Sequence, residues 1–198
     1  MMIFQYLLLL FAVAFFSCFQ SEDIQSQHKI VRIQPLGDIS PGEVNALVDS
    51  IKRIFPKVVV SSPKKLPAFA YYPPRARYKA DSLLKYLSSI AQPNETVIGL
   101  TRKDISTKSG SNPDFGIMGL GRCPGNACVV STFRLNIRKK KSQFYKVAIH
   151  ELGHTFGLPH CSDLYCYMRD AKGGNPTDDE KYFCKKCNNF LKGHHWKL

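Results

Sequence analysis

The eleven residues from His150 to His160, HELGHTFGLPH, constrain this chain more than any other stretch. Read as a helix, His150 and His154 leave the same face one turn apart, because positions four apart lie above one another. One tetrahedral zinc ion can take a nitrogen from each. Glu151 falls on the adjoining face, outside the ligand set but beside it, where a carboxylate can take a proton from a metal-activated water. Gly157 lets the backbone turn sharply, and Leu158-Pro159 then bring His160 round as a third ligand. Three protein ligands leave one coordination position open for water or substrate. Half of the six histidines in the chain fall in these eleven residues. As ordinary core or surface histidines they would have no packing reason for this spacing.

Downstream, Cys161-x4-Cys166 and Cys184-x2-Cys187 supply four thiolates in two close pairs, the ligand set of a closed structural zinc site. Disulfides are the competing use in an oxidising compartment. Such a zinc would clamp a C-terminal helix onto the segment carrying His160, in a lobe with little core of its own. Cys123 and Cys128 flank Pro124-Gly125-Asn126, a turn-forming run, and are expected to form a disulfide; two free loop thiols are the alternative.

Residues 1–18, MMIFQYLLLLFAVAFFSC, are uncharged, and their apolar part is too short to span a bilayer as a settled helix. They read as an export signal, followed by a polar tether over 19–28. Cys18 precedes a polar run and resembles the lipidation site of bacterial lipoproteins, so the expected product is a membrane-anchored lipoprotein in the periplasm or at the cell surface. A free secreted protein is the alternative. The net charge of +13 could suggest nucleic acid, but an exported chain rarely meets it, so an acidic substrate or anionic surface is the expected partner. The densest basic run, Arg138-Lys139-Lys140-Lys141, is expected to be a solvated loop. At 198 residues the rest makes one domain, 29–198, expected to be a monomer.

Along that domain, alternation predicts a strand over 29–34. The capping box Ser40-Pro41-Gly42-Glu43, with apolar residues at helical spacing, predicts a helix over 41–55. A short strand over 57–60 and a Pro-rich excursion over 63–74 precede a second helix ending at Ile90. Strands are predicted over 96–101, 115–119 and 129–135, the third helix from Ser142 to about Phe156, and a fourth from Thr177 to about Leu191. The fold class implied is α+β (mixed α/β), a mixed twisted sheet with helices on it.

HELGHTFGLPHC, then Cys166-Tyr167-Met168, then the Cys-x2-Cys pair at 184–187, resembles the archaemetzincins, a branch of the metzincin clan of zinc peptidases. Ile33-Gln34-Pro35-Leu36-Gly37, Val97 to Thr101 with Asp104, and Val129 to Leu135 resemble the family pattern too, so the likeness covers roughly 29–191. It implies a two-lobed peptidase domain around a cleft, Met168 as the Met-turn residue under a catalytic zinc, and a second zinc at Cys161, Cys166, Cys184 and Cys187. The expected activity is peptide-bond hydrolysis, with two zinc ions per chain and a peptide or protein substrate pairing with the strand over 129–135. A zinc-stabilised cell-surface binding module that does not cut is the alternative. The leader and the Cys123/Cys128 pair are departures from this largely intracellular family, and so is a slightly short Met168–Cys184 gap.

Overall fold

The alternating segment at the start of the domain forms β1 (Ile30–Pro35), with Val31 and Ile33 wholly buried. A computed structural model describes residues 30–198; the leader over 1–18 with Cys18, and the tether over 19–28, lie outside the described residues. Helix α1 (Pro41–Ile54) starts as its sequence dictates: the Ser40 side chain accepts from the Glu43 N–H, and the Glu43 carboxylate accepts from the Ser40 N–H in return. After β2 (Val58–Val60) come β3 (Tyr71–Tyr72), β4 (Arg77–Lys79) and α2 (Ala80–Ile90). Next are β5 (Glu95–Thr101), β6 (Ile105–Ser109), β7 (Asn112–Ile117), β8 (Gly119–Gly121) and β9 (Ala127–Ser131). Helices α3 (Lys140–Phe156) and α4 (Lys185–Gly193) complete the order.

The main sheet runs β2-β1-β5-β9-β8, parallel except for the antiparallel edge strand β8. Every residue of β5 is buried, as befits an inner strand covered on both faces. Successive residues go to opposite sides. Ile98 and Val130 join α1 and α3 in one core, while Val97 and Val129 pack with α2 in another. A second sheet, β3-β4-β6-β7, was legible only in part. Its strands are short and charge-bearing, and an ion-pair network supports it: Asp104 binds Arg77 at 2.6 Å and Arg134 at 2.8 Å. Gly116 leaves room for the Arg134 guanidinium, which would lie 2.1 Å from a Cβ there.

Several expectations change. The strand predicted over 129–135 is β9, ends at Ser131 and lies inside the sheet, so it cannot accept a substrate strand; β8 is the edge. Helix α3 begins at Lys140, two residues before Ser142, with Lys139 as an N-cap whose side chain makes no capping bond. The helix predicted from Thr177 is only a 3-10 turn, Pro176–Asp178, and α4 starts at Lys185. Residues between them are taken up by backbone bonds to the segment after His160: Tyr167 N–H donates to Tyr182 O at 2.7 Å and Lys181 N–H to Tyr165 O at 2.8 Å. Cys123 and Cys128 are both free thiols. Cys128 lies on β9 with its side chain wholly buried in the core, whereas exposed Cys123 donates to Leu158 O at 3.2 Å. The C-terminal segment, expected to have little core of its own, packs onto the main one. Met168, Phe183, Leu191 and Trp196 belong to the same buried cluster as α1 and α3.

Candidate metal and catalytic site

Helix α3 is buried along most of its length beneath β8 and β9, and its last two turns carry the histidine pair. It ends where Gly157 adopts φ 106°, a left-handed conformation that glycine takes without strain. The N–H groups of Gly157 and Leu158 return to the carbonyls of His154 and Gly153, and the chain doubles back toward the helix. His160 thereby faces the pair: its ring centroid lies 5.4 Å from that of His150 and 4.8 Å from that of His154.

Two of the three imidazoles are oriented for a metal by their own hydrogen bonds. His150 Nδ1 meets Tyr167 O at 2.7 Å and His154 Nδ1 meets Leu158 O at 2.7 Å. A carbonyl accepts only, so each Nδ1 carries the proton and each Nε2 presents a lone pair. Those two Nε2 atoms lie 3.1 Å apart. A shared cation reconciles two lone pairs facing one another so closely. Burial, and secondarily the neighbouring His154, push His150 down to about 3, and burial lowers His154 as well, so both rings stay neutral. The ligand atoms of His150, His154 and His160 all lie within 4.8 Å of one another. Asp170 approaches His160 Nδ1 at 3.9 Å.

Glu151 is buried on the neighbouring face, and burial lifts its carboxyl to about 8 against the opposing pull of the Gly121 N–H. A cation at the imidazoles would favour its ionised form. The strand above it contributes no side chain on this side. A Cβ on Gly119 would sit 2.6 Å from Glu151 Oε1, and one on Gly121 would sit 2.6 Å from the Glu151 carbonyl oxygen. The Gly-Leu-Gly sequence of β8 is therefore what lets a strand edge lie directly on the carboxylate. The role of Gly119 and Gly121 was missed; two glycines alternating in a short strand were the available signal. Gly153 is a similar case, since a Cβ there would lie 2.6 Å from the Met168 sulfur. Met168 is wholly buried against the helix, and its carbonyl accepts from the Cys161 N–H at 2.8 Å, tying it to the segment after His160.

The four cysteines also converge, with all Sγ atoms within 4.8 Å. Cys161 and Cys184 sulfurs are 3.7 Å apart, close to the edge of about 3.8 Å in a tetrahedron with metal–sulfur bonds of about 2.3 Å. The backbone N–H groups of Met168 and Cys184 point at Cys166 Sγ at 3.5 and 3.4 Å, a donor set suited to a thiolate. Burial pushes the Cys166 thiol up to about 11, so charge at this site needs a compensating cation. The Tyr167 hydroxyl donates to Lys181 O at 2.7 Å, and His194 packs on Phe156 and Phe190.

A sequence profile of peptidase family M54 matches residues 30–193. The archaemetzincin of Methanopyrus kandleri is 37% identical over 131 residues, covering 64% of this chain and 73% of that protein. That of Archaeoglobus fulgidus is 33% identical over 162 residues, covering 79% of this chain and 95% of that protein. The crystal structure of the Methanopyrus kandleri archaemetzincin superposes with a TM-score of 0.71 at 29% identity, covering 87% of this chain and 98% of that one. With the profile spanning nearly the whole described region and both ligand clusters in place, the chain belongs to peptidase family M54, the archaemetzincins.

Proposed function

We propose that this zinc metallopeptidase cuts extended segments of peptide or protein that pair along the free edge of β8, with Glu151 moving the proton. The observation that carries the reading is the stack of Gly119 and Gly121 on Glu151 beside three converging imidazoles. His150, His154 and His160 would hold the catalytic zinc, and Cys161, Cys166, Cys184 and Cys187 a second, structural one, giving two ions per chain. When bound, the catalytic zinc supplies Lewis acidity toward a carbonyl oxygen and acidity to a coordinated water. The chain's own residues do the rest. The backbone of β8 aligns a substrate strand by main-chain hydrogen bonds, which select extended peptide without selecting its side chains. Glu151 accepts the proton of the nucleophilic water and returns it to the leaving amine. The fixed Nδ1 bonds of His150 and His154 hold both rings in the ligating orientation. The export reading rests on residues 1–18: delivery to the periplasm or cell surface, with Cys18 as a lipid-bearing N-terminus or, without lipid, a secreted monomer.

The test is cleavage of a diverse peptide library by the zinc-loaded chain, read by mass spectrometry against Glu151→Ala. Loss of about 10^2- to 10^4-fold in rate with zinc content unchanged is expected for removal of a general base. Equal cutting by both proteins would sink the mechanism, and no cutting by either would favour a binding module. The mass of the N-terminal peptide from the membrane fraction tests the lipid at Cys18.

A further inference from the structure

The site above makes no use of the net charge of +13. Its densest run, Arg138 to Lys141, was expected to be a solvated loop, but its side chains do not simply disperse. Arg138, Lys139 and Lys141 meet Lys146 from the next turn of α3 and Arg53 from the last turn of α1, around an open groove of about 790 Å3. Ile54 and Tyr145 supply its apolar lining, and Ser50 and Ser142 also line it.

The charges in this groove are largely uncompensated. Asp178 is the one carboxylate among the lining residues, and Lys139 holds it at 2.7 Å. Lys146 donates to the carbonyls of Thr177 and Glu180, at 2.6 Å each, and Lys140 is drawn off to Glu43 at 3.5 Å. Arg53, Arg138 and Lys141 are exposed and make no ion pair among the described residues. The first turn of α3 forms one wall, and its N-cap side chain accepts no backbone N–H, so amide donors add to the positive field there.

We propose that this groove is a binding site for a multiply charged phosphate-type anion. Five cations converging from two helix ends call for a compact ligand with several acceptor oxygens, and a single carboxylate offers only two. Guanidinium groups such as those of Arg53 and Arg138 match phosphate oxygens in a two-pronged fashion. A cleft of one sign of charge also concentrates counter-ions more than the same charges on a flat surface. The ligand is either a soluble phosphate ester or the headgroup of a phospholipid. Lys141 precedes His150 by nine residues, about 13.5 Å along the helix at the usual rise, so the site is separate from the peptidase centre.

The test uses the full zinc-loaded chain and two probes: inositol 1,4,5-trisphosphate by calorimetry, and vesicles of phosphatidylcholine with or without phosphatidic acid by sedimentation. The variant is Arg53→Gln/Arg138→Gln/Lys141→Gln. Its control, Lys57→Gln/Lys65→Gln/Lys85→Gln, removes the same charge from other exposed positions. At least one probe should bind wild type and control alike, with a tenfold or greater loss in the groove variant and peptide cleavage unchanged in all three. Binding of the soluble probe assigns a phosphate ester, and binding of phosphatidic acid vesicles alone assigns the headgroup. Equal loss in both variants, binding of neither probe, or hexaglutamate binding as tightly as the trisphosphate would overturn the proposal.

Discussion

His150 and Glu151 are sequence neighbours that burial drives in opposite directions. Burial depresses the imidazole to about 3, so the stability gained by keeping it neutral is fully present above its ordinary value near 6.5 and is lost as pH falls toward 3. Thermal unfolding followed from pH 7 to pH 4 should therefore show a falling Tm, and His150→Gln should flatten the fall. The Glu151 carboxyl is raised to about 8, so its contribution is present below its ordinary 4.5 and is lost as pH rises through 8. Glu151→Gln should accordingly raise the Tm of chelator-treated protein at pH 8 while abolishing turnover; a Tm equal to or below that of the wild type would contradict the burial penalty. The grouping of His150, Glu151 and His154 was legible in the sequence, because helical periodicity alone puts them where they are. The carbonyl partners, Tyr167 O and Leu158 O, were not, since backbone groups carry no residue-type signal.

Among the elements, β8 decides the most with the fewest residues. Gly119→Ala places a methyl against the Glu151 carboxylate, and the strand must lift off α3 to admit it. Peptidase kcat/KM should fall about tenfold to a hundredfold through lost alignment, with zinc content unchanged. Zinc loss in that variant would show that the glycine supports the fold of the site, not the placing of substrate. The strand was missed because three residues, two of them glycine, give no alternation to read. By contrast α1 was legible almost to the residue, since Ser40, Pro41 and Glu43 act within a single turn. The start of α4 was misplaced for the converse reason: Thr177 to Glu180 has helix-capping chemistry, but residues 181 and 182 bond across to 165 and 167 instead.

At the scale of the whole molecule, the C-terminus is held twice. Trp196 is 3% exposed and lies edge-on to Phe156 at 5.5 Å, Phe183 at 5.8 Å and Phe55 at 5.9 Å, joining the last residues to α1 and α3. Trp196→Ala should cost about 3–5 kcal/mol by denaturant unfolding, a typical cost of emptying an aromatic site. The proposed structural zinc would hold the same segment near His160, so Cys166→Ser should lower the zinc content by one ion in metal analysis and lower the Tm. A single zinc in the wild type would remove the structural site.

The order of residues along the chain by itself determined the helical spacing that groups His150, Glu151 and His154, and the capped start of α1, because those depend on spacings of about a turn. Tertiary structure alone decided that β8 and not β9 forms the edge, that Cys128 is buried away from Cys123, and that Arg53 joins the basic run before α3. Each of these depends on which surfaces of distant segments meet, and burial and pairing across the sheet settle that only once the whole chain has packed.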